Sequence, residues 1–85
     1  MDAPKHPVTL TAGQVAELRH KLTEMRHNVN NCLSLVAATV EIAQRKPELT
    51  PRLLSSLSEQ PQKIAEEVRR FSSELETALT PPPQL

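Results

Sequence analysis

The chain has 85 residues, ten basic against ten acidic, with one phenylalanine as its only aromatic residue, one glycine and one cysteine. A chain this short makes one small domain, its balanced charge gives no net pull towards nucleic acid or an acidic membrane surface, and it lacks the aromatic platforms on which bases stack. A single glycine builds no phosphate-cradling loop, and a single cysteine excludes an internal disulfide and suits an intracellular setting. The longest apolar run, Leu35 to Ala38, is far short of a membrane span, and Met1 to Pro7 lacks the apolar core of a signal peptide. The expectation is a soluble, cytoplasmic protein with neither nucleic acid nor membrane as a partner.

Residues 1–10 carry two prolines and no periodic pattern, and read as a flexible N-terminal tail. Thr11 followed by Gln14 fits a helix N-cap with a capping-box partner. From there apolar residues fall at heptad spacing: Val15, Leu18, Leu22, Met25, Val29, Cys32, Val36, then Thr39 and Ala43. Glu17–Lys21 and Glu41–Arg45 add favourable pairs four apart. Arg45 and Lys46 suit a helix C-terminus. The pattern predicts a helix over 12–46, about 50 Å long at the usual rise.

Pro47 stops that helix, and residues 47–50 form the turn. Thr50 fits an N-cap, with Pro51 at the first helical position, where its missing N–H does no harm. A second helix follows over 51–79. One of its seams is Leu54, Pro61, Val68 and Leu75; the other is Leu57, Ile64, Phe71 and Ala78. It ends at Thr80-Pro81-Pro82-Pro83, and 81–85 read as a flexible C-terminal tail. Pro61 lies inside the second helix and removes a hydrogen bond to the Leu57 carbonyl. The alternatives are a kink there or two helices jointed near Glu59-Gln60, and the seam's continuity across Pro61 favours the kink.

Two helices of similar length with a short link should fold back as an antiparallel hairpin over 11–80. A hairpin alone leaves a problem. Between Cys32 and Ala43, nine of twelve residues are apolar. A helix apolar nearly all round must be covered on several sides, and a domain this small has little core of its own. The expected fold is therefore all-α, a hairpin that forms a homodimer and so a four-helix bundle. Its tightest core should lie in the loop-proximal half, around Leu33, Val36, Val40, Leu57 and Ile64.

One stretch interrupts the apolar repeat with distinct chemistry: Met25-Arg26-His27-Asn28-Val29-Asn30-Asn31-Cys32-Leu33. His27 falls on the outward side of the helix, with Thr23, Glu24, Asn30 and Asn31 around it. The hairpin brings Arg69 and Arg70 to about its level. A neutral imidazole is a competent nucleophile towards phosphorus, and a hydrogen bond at one nitrogen fixes which nitrogen reacts. Glu24 is the candidate for that bond. Asn31, one turn on, is the candidate to orient a water or a phosphoryl oxygen. His20 and His6 read as a surface residue and a tail residue, and Cys32 as a small seam residue. Three histidines and one cysteine show no metal-ligand spacing, and no cofactor is expected.

The segment Glu24 to Leu33 resembles the histidine box of histidine-kinase dimerisation and phosphotransfer domains. The nearest variant is the branch whose box runs H-R-V-K-N-N-L, matched here by His27, Val29, Asn31 and Leu33 and by the apolar Leu35-Val36 that follow. The resemblance covers roughly residues 13–79. It implies that His27 is a phosphoacceptor and that Asn31 positions the water or phosphoryl group during dephosphorylation. The implied partner is a response-regulator receiver domain or a separate kinase. Two features depart from the pattern. Asn28 stands where the main branch often has an acid, and nothing here resembles the ATP-binding domain. The resemblance therefore implies a receiver of phosphoryl groups rather than a kinase, or else a non-catalytic dimeric scaffold.

Overall fold

A computed structural model describes residues 7–80. The tails expected over 1–6 and 81–85 lie outside those residues. Helix α1 spans Ala12–Arg45, a single 3₁₀ turn spans Pro47–Leu49, and helix α2 spans Thr50–Leu79. Among the described residues there is no strand.

The start of α1 is held by the side chains the sequence singles out. The Gln14 backbone N–H donates to Thr11 Oγ1 at 3.0 Å, and the Thr11 N–H donates to Gln14 Oε1 at 2.8 Å. Each satisfies a donor that has no partner within the helix, a contribution of about 1 kcal/mol. At the other end the Lys46 N–H donates to the Ile42 carbonyl at 2.8 Å, and Pro47 ends the run.

The entry to α2 differs from the expectation. Thr50 is not an N-cap but the first residue of α2, with φ −50° and ψ −46°. The 3₁₀ turn is the cause. Its backbone already winds as a helix, with the Leu49 N–H donating to the Lys46 carbonyl at 3.0 Å, so no extended residue remains to act as a cap. Leu49, with φ −87° and ψ −9°, fills the capping position with no side-chain bond. Beyond this entry α2 runs unbroken through Pro61 to Leu79, which removes the alternative of two jointed helices.

The two helices pack antiparallel, and two polar contacts fix their register. Lys21 Nζ donates to Glu74 Oε2 at 2.6 Å. Asn28 Nδ2 donates to Glu67 Oε2 at 3.1 Å. On α1 the half-buried residues are Leu18, Met25, Val29, Cys32, Val36 and Ala43 from the expected seam, joined by Lys21 and Asn28, while Val15 and Leu22 are exposed. On α2 only one expected seam faces α1: Leu57, Ile64, Phe71 and Ala78 are all half-buried. The other is displaced. Leu54, Pro61 and Val68 are exposed, only Leu75 of that line is half-buried, and the line Leu53, Gln60, Glu67 and Glu74 faces α1 beside the first seam. The reason is chemical: Glu67 and Glu74 find donors on α1, and α2 turns its apolar line outward to make those bonds.

The centre of the hairpin is polar. Thr39 and Gln60 are buried, and among the described residues no apolar side chain is. Thr39 Oγ1 donates to the Leu35 carbonyl at 2.7 Å, and Gln60 Nε2 donates to the Ser56 carbonyl at 3.1 Å. Burial without a partner would be costly, so each is satisfied on its own helix. Of the expected loop-proximal core, Val36, Leu57 and Ile64 lie half-buried between the helices, whereas Leu33 and Val40 lie exposed on the flank of α1.

Lys21 sits between Glu74 and Glu17, the latter 3.2 Å away. The hydrogen bond that Lys21 donates to Glu74, then that to Glu17, raises the Lys21 pKa above its ordinary 10.5. A raised pKa means the folded state holds the proton more tightly. The stabilisation is full below pH 10.5 and is lost as pH climbs through the raised value. The urea midpoint of Lys21→Met should therefore fall below that of the unsubstituted protein at neutral pH, and the gap should narrow above pH 10.5. A gap that stays constant across that range would show that this contact adds nothing.

Candidate functional site

About 100° of rotation separates successive residues of an α-helix. Met25, Asn28, Val29 and Cys32 face α2, so His27, two residues from Met25, points to the opposite side of α1. Its side chain is exposed. The register set by Lys21–Glu74 and Asn28–Glu67 places His27 level with Val68. Asn31, one turn after His27, is also exposed, and it stands on the rim of a groove between the helices lined by Asn28, Gln62, Lys63, Glu66 and Arg70. His27 and Asn31 thus share one outward stripe of α1, with the imidazole in solvent and the carboxamide at the edge of a polar groove.

The neighbours expected around His27 are differently engaged. Glu24 turns towards His20, its Oε2 lying 3.9 Å from His20 Nε2. The four-residue spacing of that pair brings the two side chains together along one stripe of the helix. Among the described residues, none hydrogen-bonds the His27 ring. Asn28, at the position next to the histidine, donates across to Glu67 on α2.

The Arg69–Arg70 pair splits. Arg70 reaches the groove near Asn31, with Nη1 3.4 Å from Glu67 Oε1. Arg69 lies on the outer side of α2, paired with Glu66. That hydrogen bond and the attraction of the guanidinium lower the Glu66 pKa below its ordinary 4.5 and raise that of Arg69. Glu74, one turn beyond Arg70, pairs with Lys21 across the hairpin. Glu67 was not singled out in the sequence, yet it accepts from both Asn28 and Arg70 and so connects the helices beside the groove. The signal for it was the seven-residue recurrence Leu53, Gln60, Glu67, Glu74, which runs one residue ahead of the apolar line Leu54, Pro61, Val68, Leu75.

The described residues hold no group of three or more His, Cys, Asp or Glu side chains placed to bind a metal ion. No described helix is long and apolar enough to cross a membrane. Comparisons with protein-family models, with curated proteins and with solved structures find no match to this chain.

Proposed function

We propose that this chain is a dimeric histidine phosphotransfer-like module, in which His27 exchanges a phosphoryl group with the aspartate of a receiver domain. The observation that carries the reading is the placement of His27 with Asn31: a solvent-facing imidazole one turn from a carboxamide on the same stripe. In the forward step a ring nitrogen of neutral His27 forms the P–N bond as the P–O bond of an aspartyl phosphate breaks. The carboxylate leaves with the electron pair, and the other ring nitrogen keeps its proton. A nucleophile doing this needs access for in-line approach and a neutral ring, and an exposed outward position gives the first. In this reading the Asn31 carboxamide N–H donates to a phosphoryl oxygen or to a water.

The dimer belongs to the same reading. No apolar side chain of the hairpin is buried, and a small domain with so little core of its own is marginal by itself. A second hairpin completes a four-helix bundle. The chain would then act in the cytoplasm, its partner a receiver domain or a separate kinase that supplies the phosphoryl group.

A second reading, a non-catalytic scaffold that binds such a partner without chemistry, is favoured by one observation: Glu24 and Asn28 are both engaged away from the His27 ring. One experiment separates them. The protein is incubated with acetyl phosphate and with a phosphorylated receiver domain, and acid-labile phosphate on it is measured. Label that appears on the unsubstituted protein and vanishes in His27→Ala supports phosphotransfer. Absence of label with both donors, or label that survives the substitution, leaves only the scaffold.

A further inference from the structure

Two flanks run along the hairpin, one on either side of the plane that contains both helices, and both expose apolar residues of α1. On one flank Leu33 and Val40 are 51% and 41% exposed; on the other Leu35 and Ile42 are 44% and 43% exposed. Exposure of α1 therefore does not decide which flank a second copy covers. Helix α2 decides it.

Beside Leu33 and Val40, α2 presents the line Leu54, Pro61, Val68 and Leu75, of which Leu54 and Val68 are among its exposed large apolar side chains. The exposed Val15 and Leu22 continue this surface towards the start of α1. On the opposite flank, α2 presents Glu59, Lys63, Glu66 and Arg70 around the polar groove, with Asn28 and Asn31 across from them. Covering that flank would strip water from charged groups whose exposed ion pairs return little. Covering the first removes apolar surface from water at little polar cost.

Resting on the dimeric reading above, we infer that a second copy of this chain docks on the flank of Leu33, Val40, Leu54 and Val68, and that the flank of Asn31, Leu35 and Ile42 stays open. The area suits this occupant. Helix α2 has 30 residues, about 45 Å at 1.5 Å each, and two helices side by side are roughly 20 Å across. That gives roughly 900 Å² per partner, close to the ~800 Å² per partner of a stable interface. A two-fold contact needs a surface that meets itself, and this flank offers one along Leu33, Val40, Leu54 and Val68, with the exposed Arg26 and Arg19 of the same heptad line confined to the half away from the turn. The docking also leaves His27 facing solvent, since it points away from the covered side. Leu35, Ala38 and Ile42, continuing one helical stripe from Asn31 towards the turn, remain exposed beside it.

The test uses the full chain in a Cys32→Ser background. Val68→Cys and Ile42→Cys each place one thiol on one flank with a small change in shape. Maleimide labelling should be slowed at least tenfold at Val68→Cys at micromolar protein and should speed up on dilution, while Ile42→Cys should label quickly at every concentration. Sedimentation of Leu33→Asp/Val40→Asp should show monomer, and of Leu35→Asp/Ile42→Asp dimer. Protection at Ile42→Cys in place of Val68→Cys would overturn the flank assignment while leaving the dimer standing. An unsubstituted chain that sediments as a monomer at micromolar concentration would overturn the dimer itself, and the flank assignment with it.

Discussion

Pro61→Ala is expected to stabilise the protein by about 2 kcal/mol. Helix α2 continues through Pro61 without a break, so the helix is formed at full length with one donor missing. The absent N–H and the clash of the ring with the Leu57 carbonyl cost about 3 kcal/mol in a helix interior. Proline also restricts the unfolded chain, which returns about 0.4–1 kcal/mol to the native state. The difference is the expected gain. Pro61 is exposed in the hairpin, so trimming its ring removes little packing within one subunit. For a chain of this size a gain of 2 kcal/mol corresponds to a rise in Tm of roughly 8–16 °C. Thermal unfolding followed by circular dichroism checks it, at one fixed protein concentration because association shifts the midpoint. An unchanged or lowered Tm would mean that the packed structure depends on the proline.

The second large effect lies at Phe71. It is the only aromatic residue of the chain and lines the contact between the helices with Met25, Lys21 and Glu74. Complete burial of a phenylalanine makes its replacement by alanine cost 3–5 kcal/mol. Phe71 is half-buried, so Phe71→Ala should cost about 2 kcal/mol, and Phe71→Leu well under half of that because most of the apolar volume is kept. The urea midpoint, with the slope unchanged, reports the loss. Equal stability of Phe71→Ala and the unsubstituted protein would show that α2 is rotated away from the orientation described, with Val68 rather than Phe71 against α1.

That rotation marks the boundary of what the sequence reveals here. The capping box is legible because Thr11 and Gln14 are three residues apart and each satisfies the other's backbone. The turn is legible because Pro47 cannot continue α1. The inward line Leu57, Ile64, Phe71 and Ala78 is legible because it is apolar throughout. Its companion is not. Two neighbouring lines of α2, one residue out of step, compete for the place against α1, and apolarity favours the one that lost. Its rival wins through Glu67 and Glu74, whose partners lie 39 and 53 residues away along the chain. Pairings that distant leave no local pattern. At the candidate site the outward position of His27 and Asn31 follows from helical spacing alone. The turning of Glu24 to His20 and of Asn28 to Glu67 does not, since each has several partners within reach.

The placement of the polar contacts along the hairpin has a mechanical consequence. Among the described residues, the side-chain hydrogen bonds that cross from α1 to α2 are Lys21–Glu74 and Asn28–Glu67, the first towards the open end and the second at mid-length. Thr39 and Gln60, buried midway to the turn, bond only to carbonyls of their own helices. The hairpin is thus cross-linked by side chains at its middle and towards its open end, and by backbone alone at Pro47–Leu49. Loss of either carboxylate, Glu67 or Glu74, removes one of the two side-chain cross-links that hold the helices in register in the half of the hairpin that carries His27.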